Sequence, residues 1–179
     1  MDSLVIDKKL REKNLSLIDK AKRIKFVLTD SDGVLTDTGA YYSVDGEVMK
    51  RFSIRDGMGV ERLRDTLRIE TGIITGEQSG SVLKRAEKLN IKYLYRGVKN
   101  KISLLPGILA ELKIDKENIA YIGDDVNDIE LLSEVGLSAA PSDGTAFVKN
   151  IVHYVCENKG GNGAFREFVE LIIALNIKE

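Results

Sequence analysis

The sequence predicts an α/β fold: a Rossmann-like open parallel sheet with helices on both faces, plus a β-hairpin inserted after the first strand. Three observations predict it. Short apolar runs alternate with amphipathic stretches from Lys25 onward, and such alternation means parallel strands joined by crossover helices. Asp45-Gly46 separates two strand-like runs, a strong hairpin signal. Acidic residues, glycines and hydroxyls follow several of the apolar runs, and open α/β sheets bind ligands beyond the carboxyl ends of their strands.

The elements follow in order. Ser3 to Lys22 carries apolar residues at Leu4, Leu10, Leu15, Leu17, Ile18 and Ala21 with charges between them, which predicts one amphipathic helix. Lys25 to Thr29 is too short for a helix and reads as a buried strand ending at Asp30. Gly39 to Ser53 is the hairpin. Helices are then expected at Met58–Leu67, Ser79–Leu89, Lys101–Leu112, Asn127–Glu134 and Ala164–Leu175. Strands are expected at Ile69–Thr75, Lys92–Tyr95, Asn118–Gly123, Val135–Ala139 and Ile151–Val155. Pro106 and Gly107 should kink the third of these helices or delay its start.

Composition narrows the function. The chain has 179 residues, enough for one domain, and 43% of them are hydrophobic, enough for a core. Its 27 basic and 28 acidic residues give a net charge of −1, which argues against nucleic acid as a partner. One cysteine, Cys156, excludes an internal disulfide framework and a Cys-rich zinc site. No apolar run approaches the ~20 residues that span a bilayer. The charged N-terminus lacks a signal-peptide core. The expectation is a cytoplasmic protein with no membrane partner. His153 and Cys156 read as structural residues.

Four strand-end clusters carry the chemistry. Asp30-Ser31-Asp32-Gly33 follows the first strand, Thr75-Gly76 the second, Lys101 opens the helix after the third, and Gly123-Asp124-Asp125-Val126-Asn127-Asp128 follows the fourth. Each alone reads as a turn, a helix cap or a solvated residue. Together, carboxylates converging at one sheet edge repel one another unless a cation joins them. Oxygen donors without His or Cys suit Mg²⁺, and Mg²⁺ held by few protein ligands pairs with phosphate. A carboxylate can attack phosphorus, and a second one two residues on can serve as general acid and then base.

DSDGVLTD, IITG, the lysine before the third crossover helix and GDDxxD resemble the four motifs of haloacid dehalogenase-type phosphohydrolases. The segments FSIRDGMG, RAEKLNI, GVKNK, YIGDD and GGNGAFRE are similar to one subfamily, the phosphatases of 2-keto-3-deoxy sugar acids. The likeness runs from about Ile24 to Leu175, so residues 1–23 form a helical extension and residues 24–179 the hydrolase domain. It implies that Asp30 is the nucleophile and Asp32 the general acid and base. It implies Mg²⁺ on Asp30, the backbone carbonyl of Asp32 and Asp124, with Asp125 or Asp128 in support. Thr75, Gly76 and Lys101 would hold the phosphoryl group. Ser31 stands where the family more often has Val or Ile.

The same resemblance implies substrate contacts and an assembly. Only a hairpin, at about residues 38–53, occupies the place where many relatives insert a cap, so no cap domain is expected. A hairpin carrying Tyr41, Tyr42, Val44, Val48, Met49 and Phe52 is too apolar to stand alone, and the resemblance implies a homotetramer built on it. Arg55, Asp56, Gly57 and Arg85 would face the sugar acid, and Gly161 and Arg166 would reach a neighbouring subunit's site. Glu77, with Lys88 eleven positions on, departs from the eight-carbon pattern, which usually has Arg after Thr-Gly. That pair is similar to phosphatases of nine-carbon acids, so 3-deoxy-D-manno-octulosonate 8-phosphate stands first as substrate and the nine-carbon 9-phosphates, of 2-keto-3-deoxynononate or N-acylneuraminate, stand as the alternative. A phospho-receiver domain and a non-catalytic assembly domain are the other classes. The first places its acceptor after a later strand, and the second would have lost the nucleophile.

Overall fold

The structure, a computed structural model, describes residues 7–177. Six strands form one parallel sheet: β1 Phe26–Asp30, β4 Glu70–Thr75, β5 Tyr93–Arg96, β6 Ile119–Ile122, β7 Leu137–Ala140 and β8 Tyr154–Val155. Their order across the sheet is β5-β4-β1-β6-β7-β8. The hairpin is a separate two-stranded sheet of β2, Thr36–Ser43, and β3, Gly46–Phe52. Gly46 takes a positive φ of 114° at its turn, a conformation that favours glycine. From β1 the chain moves to β4 on one side and later to β6 on the other. Strand order therefore reverses at β1, and a crevice opens beyond its carboxyl end.

The helices divide between the two faces. On one face lie α3, Ile54–Leu67, α4, Gly80–Lys88, and α8, Ala164–Asn176. Val60, Leu63, Val82, Ala86, Phe165 and Phe168 pack there against Val27, Ile73 and Ile122. On the other face lie α5, Leu105–Leu112, α6, Ile129–Glu134, and α7, Ala146–Lys149. Leu105, Ile108, Leu131 and Val148 pack there against Phe26, Leu28, Ile74 and Tyr121. Successive strand residues serve opposite faces, as the period of two requires. No helix among the described residues is long and apolar enough to cross a membrane.

Several boundaries differ from expectation for identifiable reasons. The N-terminal stretch is not one helix: its described part is α1, Lys8–Lys13, a 3₁₀ turn at Leu15–Leu17, and α2, Ile18–Ala21. Asn14 leaves helical geometry, and its side chain bonds back to the Leu10 carbonyl at 2.8 Å. The expected start at Ser3 and the apolar Leu4 lie outside the described residues. α3 begins four residues early because Ser53 caps it, its Oγ accepting from the Asp56 N–H at 3.2 Å. Pro106 falls in the first turn of α5, and residues 101–104 form a 3₁₀ turn before it. The short α7 was not expected. His153 Nδ1 accepts from the Ser138 N–H at 3.0 Å, and Cys156 is buried.

Asp56 is a correction to the substrate-facing set. It is 1% exposed and points at the start of α8, where it accepts from the N–H groups of Gly163 and Arg166 at 3.2 and 2.9 Å. It joins α3 to α8. Asp56→Ala should lower unfolding free energy by about 2 kcal/mol, the scale of a lost charge-assisted bond to buried amides. Urea titration of variant and parent checks this, and an unchanged midpoint contradicts the assignment.

Candidate active site

The carboxyl end of β1 sets the site. Asp30 is the strand's last residue, and after it the Leu35 and Thr36 N–H groups both return to the Ser31 carbonyl at 3.0 Å. Gly33, at φ 99°, lets this loop lie against β6, because a Cβ there would overlap the Asp124 carboxylate. The Ser31 side chain is buried and its hydroxyl finds no partner.

One ammonium organises the acids. Lys101 is fully buried, and its Nζ donates to Asp30 Oδ1 and Asp128 Oδ1, both at 2.6 Å, and to Tyr121 Oη at 3.3 Å. The Tyr121 hydroxyl also donates to Asp128 Oδ1, at 2.5 Å. The other Asp128 oxygen accepts from the backbone N–H of Asp124 and Asp125 at 3.0 and 3.3 Å. Both oxygens of Asp128 are therefore engaged within the protein. Asp125 is exposed and caps its own 3₁₀ turn, accepting from the Val126 N–H at 2.7 Å.

Asp30, Asp124 and Asp128 bring carboxylate oxygens within 4.8 Å of one another. Burial, outweighing the pull of Lys101, pushes Asp30 up from 3.8 to about 7, and Asp128 adds to the rise. Burial followed by Asp30 and Asp128 pushes Asp124 up to about 8. Three carboxylates sharing one ammonium leave a deficit of positive charge. A small hard divalent cation fits that deficit, because the donors are all oxygens and few in number.

Asp32 enters the same cleft from the loop. Its Oδ2 accepts from the Thr75 hydroxyl at 3.2 Å, and Thr75 Oγ1 accepts from the Glu77 N–H at 3.1 Å. The cleft, about 250 Å³, is lined by Asp30, Asp32, Thr38, Gly76, Glu77 and Asp124 among others. Its rim reaches a larger hollow of about 680 Å³ between the hairpin and α4, which shares Glu77.

Lys50 is the residue that sequence reasoning missed. It sits on β3 with its side chain 4% exposed and its Nζ 2.5 Å from Asp32 Oδ1. The available signal was its two-residue offset from Phe52, which packs on the core and so turns Lys50 to the same side of the strand.

Other expected substrate contacts do not line this cleft. Arg55 is exposed and lies in a different hollow of about 410 Å³ with Asn162 and Arg166. The Arg166 side chain is held by Glu170 at 2.6 Å. Arg85 donates to the Ser53 carbonyl at 2.7 Å and stands 5.7 Å from the Phe52 ring centroid. Gly57 supplies the room for that guanidinium. Lys88 is exposed on the last turn of α4. Gly161 is buried against its own chain, its N–H bonded to the Val34 carbonyl at 2.8 Å. The glycine segment thus braces the loop after Asp30 in its own subunit.

The profile of the haloacid dehalogenase-like hydrolases matches residues 61–168. The chain belongs to that family. Among its relatives are the 3-deoxy-D-manno-octulosonate 8-phosphate phosphatases KdsC of Haemophilus influenzae and Escherichia coli K12. The first is 38% identical over 86% of this chain and 85% of the relative. The second is 40% identical over 88% and 83%. The crystal structure of the Moraxella catarrhalis phosphatase, in complex with magnesium, phosphate and KDO, aligns with TM-score 0.85 and 35% identity, covering 89% of this chain and 91% of that one. The Yersinia pestis phosphatase aligns with TM-score 0.84 and 38% identity, covering 89% and 86%.

The raised carboxyls of this hydrolase fix a pH dependence for the metal-free protein. Between about pH 4 and 8 the folded state holds protons that the unfolded state has released, so stability falls as pH rises. After exhaustive chelation, the melting temperature should fall from pH 5 to pH 8.5, and added Mg²⁺ should recover more at pH 8 than at pH 5.5. Differential scanning calorimetry measures both, and equal recovery at the two pH values counts against the cluster as the metal site.

Proposed function

We propose that this hydrolase removes the terminal phosphate of 3-deoxy-D-manno-octulosonate 8-phosphate through an aspartyl-phosphate on Asp30. One observation carries the reading. The fully buried Lys101 ammonium is locked onto Asp30 while Asp32 opens into the same cleft. The 38–40% identity to KdsC phosphatases over most of the chain supports the substrate.

In the first half-reaction an Asp30 oxygen attacks phosphorus and the bond from phosphorus to the sugar oxygen breaks. Asp32 gives its proton to that oxygen, which leaves as the free alcohol. In the second, water attacks the phosphoryl group, Asp32 takes the water's proton, and inorganic phosphate leaves Asp30 free. Asp30, Asp124 and the backbone carbonyl of Asp32 would hold Mg²⁺, with Asp128 behind them. When bound, the ion offsets the carboxylate charge and the charge that spreads over the phosphoryl oxygens. Thr75 and the backbone at Gly76 would face those oxygens, and Lys101 keeps the nucleophile aimed. Glu77 favours a nine-carbon acid as second reading: it lines the cleft, repels a substrate carboxylate and accepts bonds from hydroxyls.

The hairpin supports assembly into a homotetramer. Tyr41, Tyr42, Val44, Val48 and Met49 are all more than half exposed, a patch that water does not favour. A neighbour covering it would also shelter a cleft that has no cap.

Asp30→Asn should keep the circular dichroism spectrum and abolish phosphate release. With the parent enzyme, kcat/KM for the eight-carbon 8-phosphate should exceed that for the nine-carbon 9-phosphates. A wild-type rate in the variant removes the nucleophile assignment, and the reverse substrate order selects the second reading. Light scattering at micromolar concentration should give a tetramer, and Val48→Glu should split it. A stable, active monomer of the parent rules the assembly out.

A further inference from the structure

The geometry assigns Lys50, on the hairpin, as the residue that positions the Asp32 carboxylate for proton transfer. This rests on the reading of Asp32 as the acid and base, and it adds a member to the machinery from outside the strand-end clusters.

Asp32 lies in the loop after β1, with its side chain 31% exposed. A carboxylate so placed has several rotamers open to it. It is held from two sides. Thr75 donates to Oδ2 at 3.2 Å, a long bond, and Lys50 meets Oδ1 at 2.5 Å. The amine is itself fixed. Glu47 Oε2 stands 3.3 Å from Lys50 Nζ, and Glu47 Oε1 accepts from the Ser79 hydroxyl at 2.5 Å. Ser79 caps α4, its Oγ accepting from the Val82 N–H at 3.3 Å. A continuous polar chain therefore runs from the start of α4 through Glu47 and Lys50 to Asp32. Lys101 does not share this duty, because its amine is committed to Asp30, Asp128 and Tyr121.

A hairpin lysine could instead serve only to pin β3 to the body of the protein. The two roles separate by leaving group. A sugar alkoxide is a strong base and needs the Asp32 proton as it departs. Dinitrophenolate is a weak base and departs without one. The constant kcat/KM reports steps up to the transfer of phosphorus to Asp30, so with dinitrophenyl phosphate it is blind to the aim of Asp32. Hydrolysis of the phospho-enzyme needs Asp32 as base whichever ester was used.

The test is Lys50→Met assayed on the sugar-acid phosphate and on 2,4-dinitrophenyl phosphate, with Mg²⁺ saturating. The expected result is a loss on the order of 10²-fold in kcat/KM for the sugar ester, the size of a general-acid contribution, with no change for the dinitrophenyl ester. Stopped flow on the second ester should show a burst of about one equivalent of dinitrophenolate per site before slow turnover, since formation of the phospho-enzyme outruns its hydrolysis. The unchanged dinitrophenyl kcat/KM also reports that the variant has folded. No loss on either ester, or equal losses in a variant that keeps the parent's circular dichroism spectrum, overturns the assignment. Should Lys50→Met lose both activities together with that spectrum, Glu47→Gln decides: it keeps the amine and removes one anchor, and a loss confined to the sugar ester upholds the role while equal losses, or none, end it. A parent enzyme that hydrolyses dinitrophenyl phosphate but no sugar-acid phosphate defeats the substrate reading alone. The same Lys50 comparison then runs on whichever alkyl phosphate it accepts.

Discussion

A lysine ammonium with no exposure to water must be paired wherever it sits, because removing either partner of a buried ion pair leaves an uncompensated charge that costs about 3–5 kcal/mol. Lys101 meets this condition with Asp30 from β1 and Asp128 from the turn after β6. Those residues come from separate parts of the sequence, so the pairing ties together the middle strands and the turn that leads into α5. Tyr121 adds a third tie from within β6. The site is rigid because its charges cannot be separated cheaply, and the excess negative charge left over is what a metal ion can use. Protons are the substitute when no ion is bound, which is why burial drives Asp30 and Asp124 upward.

The strand ends were legible in the sequence because two periodicities agree there. A short run rich in β-formers ends in an acidic or hydroxyl residue, and the crevice rule then says where that residue points. Asp30 and Thr75 end their strands, and Asp32 and Asp124 follow within two residues of theirs; Lys101 lies five residues beyond β5 and was marked by the motif resemblance. The hairpin was legible for a similar reason, since Asp45-Gly46 carries its turn chemistry locally. α7 was not legible, since four residues between loops leave too little pattern for a period to show.

Several residues of the expected substrate-facing set lie away from the cleft for a different reason. Arg55, Asp56 and Gly57 look like a loop motif when read linearly, but the Ser53 cap turns them into the first turn of α3, where alternate residues face different ways. Asp56 then points inward to α8 and Arg55 outward to water. Arg85 likewise folds back onto Ser53 and Phe52. Lys50 is the converse case. Its two-residue offset from Phe52 tells only which side of the strand it takes, and its partner is 18 residues away. Contacts made across a fold by long flexible side chains leave no periodic trace, so they emerge only with coordinates.

Lys50 also couples two features that otherwise look separate. Strand register fixes which side chains face inward, and a slip of one residue turns all of them over. In the hairpin, Ala40 pairs with Lys50 and Thr36 with Phe52, while the far end pairs Ser43 with Gly46 across the turn. Register shifts fall between Tyr41 and Tyr42 and between Thr36 and Ala40, so the tip and the Lys50 stretch keep separate registers. A one-residue slip in the stretch that pairs Ala40 with Lys50 and Tyr41 with Met49 would swing the amine away from Asp32 and alter which of Tyr41 and Met49 face outward. On the proposed role of Lys50, the aim of Asp32 and the exposed apolar patch thus depend on the same few backbone pairs.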